Sequence, residues 1–321
     1  MAGSRIMTTI PEFHSTLAPR MREFVNFKRM QGYTYTDQAR TLGYFDRFLA
    51  TELGATQGPC LTLNTLQRYV GTTKHLKPFT RSTRIASVRE FSRYLRARCP
   101  DSTILPKNIL PPCSRTVRFF PITPRQVADL MAAAATVLVA DAIRAQTVSV
   151  LIGVLYATGL RISEALNLTL GDIDRDGLAL HVANGKFGKE RLAPISPSTL
   201  TAITHYLTVR EPYAGNSRAS PLFVAAYDTA LTRDQAYRCF RRLCRYCGIR
   251  GDPSPRLHDL RHNYACRRLA LWRKAGRDVN ALLPILATAM GHVNIFATQR
   301  YLHIDLDALL DASEKLNAYI T

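Results

Sequence analysis

The segment Ala157-Thr-Gly-Leu-Arg-Ile-Ser-Glu-Ala-Leu-Asn-Leu168 ends one helix and begins another. Gly159 can adopt the left-handed conformation that closes a helix. Ser163 is a competent N-cap, so a new helix is expected to begin near it. Arg161 falls at the junction, where a side chain can point into a cleft. An arginine between helices is usually a salt-bridge residue, and Glu164 suits the positive end of a helix dipole. Alone, the segment fixes a helix–turn–helix and leaves its chemistry open.

Three further islands follow. Leu178-Ala-Leu-His-Val182 and Arg191-Leu-Ala-Pro-Ile195 flank a turn carrying Gly185 and Gly188, which predicts a short β-hairpin within residues 172–195. Lys186 and Lys189 lie on its tip; by itself this is a solvated turn. Next comes His258-Asp-Leu-Arg-His262, after Pro253-Ser-Pro255. His258 and Arg261 are three apart on a helix and share a face near its N-terminus, where backbone N–H groups favour an anion. The last island is Met290-Gly-His-Val-Asn-Ile-Phe-Ala-Thr-Gln-Arg-Tyr-Leu-His303, in which His292 precedes Tyr301 by nine residues. His262, Tyr264 and His303 read as packing residues.

Upstream, Thr123-Pro124 is an N-cap followed by proline at the first helical position. Before it, Pro106, Pro111, Pro112 and Pro121 break any helix and mark a linker over residues 106–121. Residues 10–105 read as a separate helical domain, and residues 122–321 as a larger one that is mostly helical with a small β-hairpin. In the first, Phe24, Phe27, Tyr44, Phe45, Phe48 and Leu49 recur at helical spacing and are expected in its core. A helix is expected from Arg81 to Arg98, burying Ile85, Val88, Phe91 and Leu95 and presenting Arg89, Arg93 and Arg96 together on another face.

Charge separates the two parts. The chain of 321 residues carries 43 Lys+Arg against 24 Asp+Glu, a net +19. Residues 1–115 hold 18 basic against 7 acidic residues, so the smaller part carries more than half of the excess. Between Lys74 and Arg98 only Glu90 interrupts eight basic residues. Such an imbalance points to polyanions, and to phosphate contact by Lys74, Lys77, Arg81, Arg84, Arg89, Arg93 and Arg96. No charge-free apolar stretch is long enough for a membrane span. Seven scattered cysteines in a chain of this size are expected to be free thiols in a reducing, cytoplasmic compartment. Cys244-x-x-Cys247, with Cys239 nearby, lacks a second pair at zinc spacing and reads as buried thiols.

Taken in order, Arg161, Lys186, the His258-x-x-Arg261 pair, Gly291-His292 and Tyr301 resemble the catalytic signature of the tyrosine recombinase, or phage integrase, family. The resemblance covers most of residues 120–310 and is looser over 10–105, which is similar to that family's helical core-binding domain. It implies a mainly α fold: a helical DNA-clamping domain, then a mixed α/β catalytic domain. It also implies a covalent enzyme acting on double-stranded DNA at specific sites, as a homo-tetramer on two duplexes, with room for accessory DNA-bending proteins. A mobile element is its expected setting. The stretch from Arg261 to His292 is longer than in compact members and predicts an extra turn or loop. The terminal segment 305–320 has an apolar face suited to packing on its own domain or on a neighbouring subunit.

The residues support that chemistry directly. Arg161 and Arg261 can clamp the non-bridging oxygens of a phosphodiester and stabilise the pentavalent state. His258 and His292 can hydrogen-bond the same phosphate, with His258 placed to take the proton of Tyr301. Tyr301 attacks, leaving a 3′-phosphotyrosyl link. Lys186 protonates the departing 5′ oxygen, in preference to Lys189, and Glu164 supports an arginine or a histidine. No cofactor or metal is expected, because no carboxylate cluster suited to Mg²⁺ is legible. Type IB topoisomerase activity and a catalytically idle DNA-binding regulator are the alternatives.

Overall fold

The computed structural model describes residues 11–53, 58–112, 119–139, 141–183, 190–226, 229–292, 294–302 and 304, with the backbone only at 52 and 53. The chain divides into two compact units, Met1–Thr116 and Val117–Thr321.

In the first unit, helices α1 (Ala18–Met30), α2 (Thr36–Phe48), α3 (Leu63–Thr72) and α4 (Pro78–Arg96) enclose one apolar core. Met21, Phe24, Leu42, Phe45, Val88 and Phe91 are fully buried there, because their spacing of three and four places them on the inner faces. A buried carboxylate ties the entry of α1 to α2: Asp46 accepts the Ser15 hydroxyl at 2.6 Å and the backbone N–H groups of His14 and Ser15. The expected core aromatics divide. Phe24, Phe45, Phe48 and Leu49 are buried, whereas Phe27 and Tyr44 are each 40% exposed. Tyr44 lies under the guanidinium of Arg84, 3.9 Å from the ring centroid, which gives a half-exposed ring a partner that core packing does not supply.

The basic helix begins three residues earlier than the spacing predicts, with Lys77 as N-cap and Pro78 at its first position. Its arginines differ in environment. Arg81 donates to Thr73 and to the Val70 carbonyl, Arg89 to the carbonyls of Leu105 and Pro106, and Arg96 to that of Ser102. These three close the chain that precedes or follows α4. Glu90, the lone acid, accepts Lys28 and Tyr35 at 2.7 Å each, so it sits within the fold instead of diluting a basic face. The free-thiol expectation needs correction here: Cys60 and Cys99 form a disulfide. A separation of 39 residues carries no sequence signal. The fold brings them together because Thr103 and Ser102, just after α4, hydrogen-bond Leu61.

The second unit is built around α6 (Ala142–Thr158), a helix apolar on nearly every side. It packs against α5 (Pro124–Val137), α8 (Pro197–Arg210) and α10 (Leu257–Lys274). Thr123 and Gln126 form the capping box that starts α5. The short helix α7 (Ile162–Leu166) follows α6. Then an antiparallel sheet runs in the order β1 (Ile173–Asp174), β2 (Ala179–Val182), β3 (Arg191–Pro194), with β2 and β3 forming the predicted hairpin. A second small pair joins β4 (Val224–Ala226) to β5 (Thr229–Ala230), ahead of α9 (Arg233–Tyr246). After α10 come α11 (Val279–Met290) and α12 (Phe296–Gln299). The stretch after Arg261 is mostly helical, with one turn inside it. α10 continues to Lys274, a tight turn at Gly276 reverses the chain, and α11 carries Pro284 within it. Cys239 and Cys244 are buried, with burial pushing the Cys244 thiol up to about 12. Among the described residues no group of His, Cys, Asp and Glu is arranged to hold a metal ion.

Candidate active site

Two helix ends make the floor of the site. α6 ends at Gly159 (φ 65°) and α11 at Gly291 (φ 64°), both left-handed caps. Neither glycine tolerates a Cβ: at Gly159 it would collide with the ring of Tyr264, and at Gly291 it would lie 2.8 Å from the Arg191 guanidinium. The last carbonyls of a helix lack intrahelical partners and carry the negative end of its dipole, so they attract arginines.

Three arginines occupy these ends. Arg261 donates to the Gly159 carbonyl at 2.6 Å and to that of Met290 at 2.7 Å, joining α6 to α11. Arg161 donates to the Gly291 carbonyl at 2.9 Å and to Glu164 at 2.6 Å. Arg191, from β3, donates to the Ala289 carbonyl at 2.9 Å and to both oxygens of Glu164. Glu164 thus sits buried between Arg161 and Arg191. It also accepts the backbone N–H of Arg161 at 2.8 Å. That bond corrects the expected helix start: Arg161 stands at the N-cap of α7, and Ser163 lies inside the helix. Burial alone would raise the Glu164 carboxyl. The hydrogen bonds from Arg191 and the Arg161 N–H, with both guanidinium charges, overcome it and hold the group below the usual range.

Arg261 is 2% exposed, and burial together with the Arg161 charge lowers it to about 10, still cationic at neutral pH. Two of its five N–H donors are fixed on backbone, which orients the rest of the fork. His292 follows the Gly291 cap, and its Nδ1 lies 2.7 Å from Oγ1 of the fully buried Thr298. Tyr301, just past α12, is 2% exposed within a small core of Phe119, Tyr264, Cys266, Leu269 and Met290. Burial pushes its hydroxyl up to about 12, against the opposing charge of Arg261. The Tyr301 hydroxyl lies 2.7 Å from Nδ1 of His262. His258, itself exposed on the first turn of α10, meets the His262 ring edge-on at a 4.7 Å centroid separation.

The fold therefore gathers Arg161, Glu164, His258, Arg261, His292 and Tyr301 around the ends of α6, α10 and α11. Lys186 and Lys189 lie outside the described residues, as does the terminal segment 305–321. The strands flanking the hairpin tip are nonetheless pinned to the site, since Val182 pairs with Arg191. Arg191, Thr298 and His262 make contacts with the candidate site residues that spacing does not single out. For Arg191 a signal exists: in β3 it shares the inner face with the buried Ala193, while Leu192 points outward at 57% exposed. An inward arginine beside an outward leucine inverts the ordinary pattern.

Replacing Arg191 by methionine leaves Glu164 one buried cation short. The expected cost is about 3 kcal/mol, read as a calorimetric Tm lowered by roughly 6–12 °C. Replacing Glu164 by methionine in the same chain should recover a large part of it; a double variant less stable than the single one would count against this pairing.

A model of the phage integrase family matches residues 121–307. The chain belongs to the phage integrase family. It is a tyrosine recombinase by that membership, and the relatives agree. Integrase/recombinase y4rB of Sinorhizobium fredii is 32% identical over 309 residues, covering 94% of this chain and 97% of the relative. Tyrosine recombinase XerC of Rhodospirillum centenum is 37% identical over 160 residues, 50% of this chain and 43% of that one. Among solved structures, the Tn1549 transposon integrase in complex with transposon right end DNA superposes with a TM-score of 0.64 at 20% identity, covering 92% of this chain and 99% of that one. The XerH site-specific recombinase bound to palindromic difH substrate gives 0.62 at 19% identity, covering 87% and 78%. Both share the integrase-family fold.

The buried histidines give the site a pH signature. His262 and His292 are each lowered to about 3, by burial first and then by neighbouring positive charge: His258, Arg256, Arg261 and Arg300 around His262, and Arg261, Arg161, Arg300 and Arg191 around His292. The unfolded chain takes up these two protons near pH 6.5, whereas the folded chain resists them down to about 3. Stability is therefore complete above pH 6.5 and falls as the pH drops below it, by at most about 1.4 kcal/mol per histidine per pH unit before solvent screening. Urea midpoints at pH 7.5, 6.5 and 5.5 should decline in that order, and less steeply in His262→Asn. A midpoint that does not move would remove the assignment.

Proposed function

We propose that this chain is a site-specific DNA recombinase that cuts and rejoins double-stranded DNA through Tyr301. The observation carrying this reading is the convergence of two oriented guanidinium groups, Arg161 and Arg261, with His292 and the Tyr301 hydroxyl at the joined ends of α6 and α11. In the reaction, the Tyr301 oxygen bonds to phosphorus as the bond to the 5′ oxygen breaks. The 5′ oxygen leaves as a hydroxyl with a proton from Lys186, and the tyrosine proton passes to His258. One phosphodiester is exchanged for another, so the break stores the energy for rejoining. Arg161 and Arg261 neutralise the non-bridging oxygens, and His292 donates to the same phosphate.

DNA is the partner that the basic charge and the DNA complexes of both solved relatives support. Lys74, Lys77, Arg84 and Arg93 are the α4 region's candidates for phosphate contact, and Arg81, Arg89 and Arg96 act through the chain segments they brace. Exchange of four strands calls for a tetramer on two duplexes, and integration, excision or transposition of a mobile element is the task proposed for it. Supercoiled plasmids carrying the DNA that flanks the gene test this reading. Sequenced products that join two parental segments are expected. Relaxed circles without new junctions would favour a topoisomerase instead.

A further inference from the structure

His262 stands next to Arg261 on α10. Its surroundings are unusual for a residue that merely fills space. The ring is held on three sides: Phe119 at a centroid distance of 5.5 Å, His258 edge-on at 4.7 Å, and Tyr301 at 5.6 Å. It is 8% exposed and Tyr301 is 2% exposed, so water does not compete for the 2.7 Å contact between Nδ1 and the Tyr301 hydroxyl. A ring that cannot rotate presents its acceptor in one place. Tyr301, by contrast, follows a helix of only four residues, α12.

We propose that His262 is the positioning residue of the nucleophile: its Nδ1 accepts the Tyr301 hydroxyl hydrogen and holds the phenol beside Arg261. This rests on the reading of Tyr301 as nucleophile and adds a residue to it. A neutral imidazole offers one acceptor nitrogen, and the low pKa of His262 keeps the ring in that form throughout the working range. The same fact makes His262 a poor proton acceptor in the reaction. Its role is orientation, and deprotonation falls to another group. Positioning can matter strongly, because a nucleophile displaced by about an ångström loses much of its near-attack population.

The contact predicts a specific pattern of substitution. Asparagine can place its amide oxygen near the position of Nδ1. Leucine fills similar space with no acceptor. In the full-length protein labelled with 3-fluorotyrosine, the Tyr301 resonance, identified by its loss in Tyr301→Phe, should shift in His262→Leu and return toward its original position in His262→Asn. On a nicked duplex carrying the DNA that flanks the gene, His262→Leu should slow covalent adduct formation at saturating protein by about tenfold, the factor expected for one lost hydrogen bond. Its DNA affinity should stay within about twofold. His262→Asn should recover the rate to within about threefold.

A Tyr301 resonance unmoved in His262→Leu would overturn the proposal without reference to DNA. Equal loss of rate in His262→Asn and His262→Leu would also overturn it, since a purely structural or proton-accepting histidine is not rescued by an amide. An adduct that persists in Tyr301→Phe would instead overturn the underlying reading of the nucleophile, while the resonance still reports the contact.

Discussion

Tyr301→Phe is expected to abolish covalent capture of DNA, lowering the rate of adduct formation by at least about four orders of magnitude. Only the hydroxyl is removed, and the ring keeps its place among Phe119, Leu269 and Met290. DNA affinity should remain within about threefold, because affinity comes mainly from phosphate contacts spread over the surface. The fold should lose about 1 kcal/mol, since Nδ1 of His262 is left without its partner. Adduct formation and equilibrium binding, measured on the same nicked duplex, check both halves. A loss of binding equal to the loss of cleavage would mean that Tyr301 serves the fold or the DNA interface and not the chemistry.

Arg261→Lys is the second large effect, a loss of about a thousandfold in the single-turnover cleavage rate. The two residues carry the same formal charge, so the loss reports the fork geometry of the guanidinium together with its firmer hold on the charge. Arg261 holds the Gly159 and Met290 carbonyls with separate nitrogens. A lysine ammonium cannot span both and still present donors to a phosphate. Burial already lowers the guanidinium to about 10, and an ammonium with a lower starting pKa would be closer to losing its charge there. The Arg161→Lys change should cost less, because the Arg161 side chain is 24% exposed against 3% for Arg261 and can recruit water. Single-turnover rates at saturating protein, with thermal melting to confirm the fold, give the comparison. A lysine variant that cleaves within about tenfold of the original would argue that charge alone suffices.

The helix–glycine–arginine junction was legible because a left-handed cap is local: Gly159 needs no tertiary context to be read. The hairpin was legible for the same reason, since alternation and turn residues are short-range. What spacing could not reach were contacts between elements far apart in the chain. Arg191 meets Glu164 and Ala289 across 27 and 98 residues, and His262 meets Tyr301 across 39. A histidine on the inner face of a helix looks like packing until its neighbour is known. The Cys60–Cys99 pairing is hidden likewise, because nothing in either local sequence names the other. Charge on α4 was visible as composition, but its division between arginines that brace the chain and arginines left to other contacts depends on where residues 102–107 return.

The most direct test of the central claim is the identity of the atom that joins protein to DNA. Wild-type protein is incubated with a nicked duplex bearing the flanking DNA, in the presence of a metal chelator. The adduct is then isolated under denaturing conditions, digested with protease and nuclease, and sequenced by mass spectrometry. The account predicts a single modified peptide containing Tyr301, carrying a 3′-linked nucleotide, with a free 5′ hydroxyl on the released strand. Attachment at another residue, a 5′ linkage, or tight binding with no adduct at all would contradict it.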